Sequence, residues 1–424
     1  MKKLTIILFS IIFSFSLSGQ TENLSCTDCH DTYIQHEVMH AVAADDCETC
    51  HMSTGSEHPQ DGVKGFDLGD EMPALCFMCH EEHTKENVHA VSTECLMCHS
   101  PHGSANKSLL LSSPQSILCA ECHDMSLVEK RVKHEPLADG NCTSCHHPHQ
   151  SDYSQLLKAE KPQLCFNCHV SVQMETGLEN IHPPLDDECA NCHNVHSTVD
   201  DKLLIQKMPD LCYNCHDMQT TIEEAPVDHK VVSDGKGCSN CHSPHASDQR
   251  SFLLDTEKEL CLSCHSKTIE TEDKTLSNIG QTLKKGNYIH GVIEGDGCIV
   301  CHNPHSSDKS LLLNGAFPSE EYVAATAENF DICFMCHDSQ LMTVEFSEYT
   351  TNFRNGDQNM HYLHINGNKG RNCNLCHNVH GSAYEHLIAD KVMFGKWEMP
   401  MEYKLLENGG SCKTGCHAEK KYIR

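Results

Sequence analysis

The chain has 424 residues, of which 38% are hydrophobic and 6% aromatic, a poor supply for an ordinary apolar core. Its formal charge of −29 speaks against a nucleic-acid partner and for solubility, with basic partner patches or cations as what it would attract. What the chain has in excess is 30 cysteines and 34 histidines.

In chain order the first predicted element is a leader. Lys2 and Lys3 precede an apolar stretch from Leu4 to Leu17, and Ser16, Ser18 and Gly19 offer small residues for cleavage, so residues 1–19 are expected to be a signal peptide. The stretch is too short and serine-interrupted for a membrane span, and no later segment is long and apolar enough, so no transmembrane anchor of its own is expected. The first cysteine after the leader, Cys26, belongs to the motif that follows, which leaves none for an N-terminal lipid anchor.

From there on every cysteine belongs to a pair followed at once by histidine. Fourteen pairs have the spacing Cys-x-x-Cys-His. The first seven are Cys26/Cys29/His30, Cys47/Cys50/His51, Cys76/Cys79/His80, Cys95/Cys98/His99, Cys119/Cys122/His123, Cys142/Cys145/His146 and Cys165/Cys168/His169. The next seven are Cys189/Cys192/His193, Cys212/Cys215/His216, Cys238/Cys241/His242, Cys261/Cys264/His265, Cys298/Cys301/His302, Cys333/Cys336/His337 and Cys373/Cys376/His377. The fifteenth, Cys412/Cys416/His417, carries one extra residue between its cysteines. This pentapeptide is the attachment site of c-type haem: two thiols add across the porphyrin vinyl groups and the histidine becomes an axial iron ligand. Zinc knuckles and redox dithiols also use Cys-x-x-Cys, but neither requires histidine after the second cysteine, and a disulfide framework does not either. Fifteen haems in about 400 mature residues leave about 27 residues each. The macrocycles are then expected to be the core, and the apoprotein to be largely unfolded.

The spacing of the motifs is itself periodic. Cys95 to Cys142 and Cys142 to Cys189 are each 47 residues, and Cys189 to Cys238 is 49, so the repeat spans two haems and reads as a modular array. Seven two-haem modules are expected at about 26–58, 76–102, 119–149, 165–196, 212–245, 261–305 and 333–380, followed by a terminal haem segment at 381–424. Even-numbered sites follow a histidine six to nine residues earlier: His40, His89, His134, His182, His229, His290 and His364. Most are followed by another histidine three places on: His102, His149, His196, His245, His305 and His380. An apolar group such as Leu109-Leu110-Leu111 or Leu203-Leu204 comes next and suits a porphyrin face.

Fifteen histidines are proximal by motif and nineteen remain, enough for a second axial ligand at every iron. Besides those just named, His58 substitutes in the first module and His386 serves the last site; of those left over, His36 is an alternative to His40, His83 to His89 and His361 to His364, with His147 a spare. A histidine three residues past the proximal one lies on the same side of the ring, so His102 and its equivalents are expected to bind a neighbouring haem rather than their own.

The combined string Cys-x-x-Cys-His-x-Pro-His, Ser, Leu-Leu, Leu-Cys-x-x-Cys-His resembles the doubled CxxCH multihaem cytochrome c family. Residues 95–123, 142–169, 189–216, 238–265 and 298–337 carry it, with 26–80 and 373–417 matching more loosely. The resemblance implies periplasmic or extracellular electron transfer through stacked bis-histidine haems, in some members as the wire inside an outer-membrane conduit. The first module departs from the pattern, because no histidine stands three places after His51.

The expected fold is mostly irregular with short α-helices, little or no β: an elongated array of two-haem modules organised around stacked c-type haems. Turns are expected at Pro183-Pro184 and at Asp234-Gly235-Lys236-Gly237, and a packing flap around Trp397 over the last haem. Two histidines leave an iron no position for substrate, so the leading reading is an exported, non-enzymatic electron carrier. It would link inner-membrane donors to an outer-membrane or extracellular acceptor, with redox proteins, other cytochromes or an outer-membrane porin as partners. A second reading is a multihaem oxidoreductase with one open haem at His30, His51 or His417, acting on a small nitrogen or sulfur compound. A third is a subunit of an extracellular cytochrome filament.

Overall fold

A computed structural model describes residues 25–271, 274–295 and 297–424; the expected signal peptide lies outside them. The chain divides into two compact units, Met1–Leu164 and Cys165–Arg424, built from the same local pieces. Most of the described chain is irregular, with short helices and small antiparallel strand pairs, as the composition implies.

The smallest piece is the attachment turn. Residues i, i+3 and i+4 of a helical turn share one face, and those are the positions of the two cysteines and the histidine. The chain closes that turn at the standard motifs, for example with His80 N–H donating to Cys76 O and His242 N–H to Cys238 O, both at 3.0 Å. At the fifteenth motif the extra residue moves the second cysteine and the histidine off this face. There Cys412 ends a strand, Gly409–Cys412, and the turn bond is a longer one, His417 N–H to Thr414 O at 3.4 Å.

After each even-numbered site from the fourth on, the chain doubles back through two consecutive left-handed residues. They are Ser108–Leu109, Gln155–Leu156, Lys202–Leu203, Ser251–Phe252, Leu311–Leu312 and His386–Leu387, with φ between 54° and 59°. None is glycine, so each conformation is costly and has to be held by its surroundings. What holds it is visible in the next residue, which bridges back to the proximal histidine: His99 to Leu110, His193 to Leu204, His242 to Leu253, His302 to Leu313. A serine completes the loop. The Ser104, Ser247 and Ser307 hydroxyls donate to the Leu110, Leu253 and Leu313 carbonyls at 2.8, 2.5 and 2.6 Å. The same oxygens accept the N–H two residues on.

The largest repeated piece is a clasp between strands of two residues. Val38–Met39 pairs with Gly103–Ser104 and Asn87–Val88 with Gln150–Ser151 in the first unit. Asn180–Ile181 pairs with Ala246–Ser247, Val227–Asp228 with Ser306–Ser307, and Tyr288–Ile289 with Gly381–Ser382 in the second. Each clasp joins the histidine before one even site to the histidine after the next. His40 N–H donates to His102 O at 2.9 Å, His89 to His149 at 2.8 Å, His182 to His245 at 2.8 Å, His229 to His305 at 2.9 Å and His290 to His380 at 3.3 Å.

Pro183-Pro184 does not make the expected turn: it opens the helix Pro183–Asp187, where proline's fixed φ suits the first helical positions. Asp234–Gly237 does turn, through positive φ at Gly235 and Gly237. The segment around Trp397 is a small β-structure. Lys391–Phe394 pairs with Trp397–Pro400 across Gly395, and Tyr403–Leu406, Gly409–Cys412 and Lys420–Ile423 form a three-stranded sheet. Ala389, Met399 and Met401 form a buried apolar cluster in it, with Cys376, Val392 and Phe394 packed against them.

Candidate haem-binding array

Many large apolar side chains that an ordinary fold would bury stand exposed among the described residues, such as Met78, Met174, Met335 and Val170. No cysteine among those described is in a disulfide. Free thiols in pairs, a histidine on the same face and a surplus of apolar surface fit covalently bound porphyrins as the missing core.

The proximal histidines are prepared as ligands by their backbone. The Nδ1–H of His99, His146, His193, His242, His302 and His377 donates to the carbonyl nine residues on, at 2.7 to 2.9 Å. Those carbonyls belong to Ser108, Gln155, Lys202, Ser251, Leu311 and His386, the first residue of each left-handed pair. A carbonyl only accepts, so the proton is fixed on Nδ1 and the Nε2 lone pair is left for metal; such a partner also raises ligand basicity. His386, expected as the last sixth ligand, thus has a backbone role, and its side chain is exposed.

Twelve proximal histidines have a second ring set opposite at nearly one distance. In the first unit the pairs are His30–His58, His51–His102, His80–His40, His99–His149 and His123–His89. In the second they are His193–His245, His216–His182, His242–His305, His265–His229, His302–His380, His337–His290 and His377–His361. Centroid separations run from 5.9 to 6.4 Å. A ring nitrogen lies about 2.0 Å from a bound metal and about 1.2 Å from its ring centre, so imidazoles on opposite sides of one metal have centroids about 6.4 Å apart. In the sequence, His134, His146, His169 and His196 stand at the corresponding positions of their motifs.

The sequence left open which second histidine serves which site, and the structure sets particular rings together. His58 faces His30, and His51 is faced by His102, a histidine from beyond another site as the reading of that class expects. His361, counted as surplus, faces His377. His149 lies between His99 at 5.9 Å and the surplus His83 at 5.3 Å, with His147 at 6.5 Å. Spacing marks His364, nine residues before Cys373, but gives no signal for His361, which only the packing of their helix brings to His377.

Electrostatics favour the neutral imidazole that a metal requires. Burial, then the neighbouring histidines, push His361 and His380 down to about 4. Burial likewise lowers His102, His149, His193, His265, His290 and His305. His245 has a carboxylate partner instead, Glu175 Oε2 at 3.0 Å from Nδ1.

Thiols of successive motifs adjoin. Cys26 and Cys47, Cys76 and Cys95, and Cys119 and Cys142 hydrogen-bond in the first unit. Cys212 and Cys238, Cys261 and Cys298, and Cys333 and Cys373 do so in the second. Between these contacts, Cys50 lies near Cys76, Cys98 near Cys122, Cys192 near Cys215, Cys241 near Cys264, Cys301 near Cys333 and Cys376 near Cys412, each near enough for charge on one to raise its neighbour's pKa. Attachment sites therefore follow one another in space in sequence order, first to sixth in one unit and eighth to fifteenth in the other.

The second cysteine of a motif differs in exposure with the parity of its site. The second cysteine of every odd-numbered site faces outward: Cys29, Cys79 and Cys168 are exposed, as are Cys122, Cys215, Cys264, Cys336 and Cys416. The second cysteine of every even-numbered site is half-buried, Cys145 like Cys98 and Cys192. The reason is the loop that doubles back after an even site. It lies over the second cysteine and bonds to it, Lys158 N–H donating to Cys145 O at 2.9 Å as Leu111 N–H does to Cys98 O at 3.0 Å. Odd sites have no such loop, so at Cys29, Cys79 and Cys168 a thioether-bound porphyrin would have to supply the cover.

The family model of the doubled CXXCH motif matches residues 40–85, 89–126, 134–174, 182–221, 229–270 and 290–342, more than half of the chain. The chain belongs to this family of multihaem c-type cytochromes. Six matched pairs imply about 12 covalently bound c-type haems. Each matched segment opens on a clasp histidine and carries an even-numbered site with the odd one after it, a register one site removed from the modules taken from motif spacing. No curated protein matches the chain. Among the described residues no helix of this cytochrome is long and apolar enough to cross a membrane.

Proposed function

We propose that this cytochrome carries fifteen haems, mostly bis-histidine, and passes electrons along them in sequence order within each unit. The observation that carries the reading is the near-constant 5.9 to 6.4 Å separation of twelve proximal histidines from a second ring. Bound haem supplies the one-electron chemistry; the chain supplies ligands, spacing and a dry surround. In this arrangement histidines at 40, 89, 182, 229 and 290 ligate the next odd haem, and those at 102, 149, 245, 305 and 380 ligate the preceding even one. The adjoining thiols put the thioether edges of successive porphyrins side by side, which suits electron hopping. Donors on the inner membrane and acceptors at the outer membrane or outside the cell complete the proposed route, with export through the leader at 1–19.

Two of the three sites that an oxidoreductase reading would leave open, His30 and His51, are faced by His58 and His102, which favours the carrier. Intact mass of the purified holoprotein and electron paramagnetic resonance of its oxidised form test the proposal together. Fifteen haem masses and low-spin ferric signals are expected. Fewer than fourteen haems, or several high-spin signals, would overturn it.

A further inference from the structure

In the repeat of sites fourteen and fifteen one helix carries two histidines. Elsewhere an even site receives its facing histidine from the next clasp, as His302 does from His380. At site fourteen His377 is faced instead by His361, on the helix Met360–Ile365. His364 is three residues on, so it shares that helix's face. We propose that His364 is the sixth ligand of the haem on Cys412/Cys416/His417, an assignment that rests on the haem-array reading above.

Three observations carry the assignment. His364 precedes Cys373 by nine residues, as His229 precedes Cys238. Its equivalents His40, His89, His182, His229 and His290 each face the proximal histidine of the next odd site. For His364 the next odd site is the fifteenth. That site also stands where the rule needs it, since Cys412 and Cys416 both lie beside Cys376, as Cys333 and Cys336 lie beside Cys301.

The second observation is the ring's own preparation. His364 Nδ1 donates to Met360 O at 2.7 Å, which frees Nε2, just as His182 and His229 Nδ1 donate to Pro244 and Pro304 carbonyls at 2.8 and 2.9 Å. The third is how the two elements are joined. The strand Lys420–Ile423, which follows His417, docks on the hairpin that leads into the His364 helix. Gly356 N–H donates to Ile423 O at 2.8 Å, Ile423 N–H to Asn355 Oδ1 at 3.1 Å, and Phe353 meets the buried Tyr422 ring edge-on at 5.0 Å. Fully buried Asn359 caps the helix, accepting from His361 and Tyr362 N–H and donating to Leu341 and Val344 carbonyls. This docking takes the place of the two-residue clasp.

His364→Met and His386→Met holoproteins, compared with the parent by intact mass, near-infrared magnetic circular dichroism and potentiometric titration, test the assignment. In His364→Met one haem's share of the bis-histidine signal, about one in fifteen, should convert to histidine–methionine or high-spin character. A component of raised potential should appear with it, and added imidazole should restore the bis-histidine signal if methionine does not bind. In His386→Met no bis-histidine signal should convert, because position 386 lends His377 its carbonyl and not its ring. A His364→Met protein that keeps all its bis-histidine signal, or a conversion in His386→Met, would overturn the assignment. Failure of the array reading looks different: the parent protein would itself lack the haem masses.

Discussion

At the scale of the residue, the telling positions are the carbonyls that fix the proximal rings. Ser108, Gln155, Lys202, Ser251, Leu311 and His386 share no side-chain chemistry, because only their backbone is used, and it is used in a conformation that L residues avoid. The exposed side chain of Lys202 makes it a clean place to test this. Lys202→Val should lower holoprotein stability by about 1–2 kcal/mol in calorimetry, since a β-branched residue is least tolerant of left-handed backbone, while Lys202→Gly should not. A weakened bond to His193 Nδ1 in the valine variant should also raise the potential of that haem, because its ligand becomes less basic. The cysteines and proximal histidines were legible in the sequence because the attachment turn is local. The use of the residue 386 carbonyl was not, because it is a backbone group that any side chain could accompany.

The element that organises the array is the clasp, and it is nearly invisible in sequence. Two-residue strands such as Asn180–Ile181 and Ala246–Ser247 have no periodicity to detect, and their partners are more than 60 residues apart. Motif spacing therefore gave a two-haem period, and the pairing of histidines across modules came only from the fold. Ser247 holds this clasp from inside, buried and bonded to the Leu253 carbonyl and the Gln249 N–H. Ser247→Ala should cost about 1–3 kcal/mol, the range for leaving buried backbone groups unpaired. Its spectral effect should fall on the haems of His193 and His216 together, because His245 and His182 sit on the two sides of one clasp. The C-terminal strands carried clearer signals, Gly395-Lys396 and Glu407-Asn408-Gly409, both suited to tight hairpins; reading that region as a flap passed over them.

Across the whole molecule the balance of forces is unusual, because so little apolar side chain is buried away from the array surface. Folding and cofactor attachment are expected to be one process here, as in small metal-dependent domains. The chain produced without haem attachment should show no cooperative thermal transition by circular dichroism, while the holoprotein should show one. A cooperative transition in the haem-free chain would mean that side-chain packing suffices. The composition made this much readable from the outset: 38% hydrophobic and 6% aromatic residues cannot close a core of this length.

The clasps also impose a timetable. A polypeptide emerges from its N-terminus, and folding follows that order. His40 is already in place when the site at His80 appears, 40 residues later, so ligands of this class wait for their haem. The other class runs the opposite way: His51 precedes His102 by 51 residues and His302 precedes His380 by 78. Under the proposed ligation each even-numbered haem of this class would be half-ligated until the next repeat arrives, and a chain cut short would leave such an iron unfinished. Sites fourteen and fifteen differ, because His361 and His364 stand on one helix made before both of them.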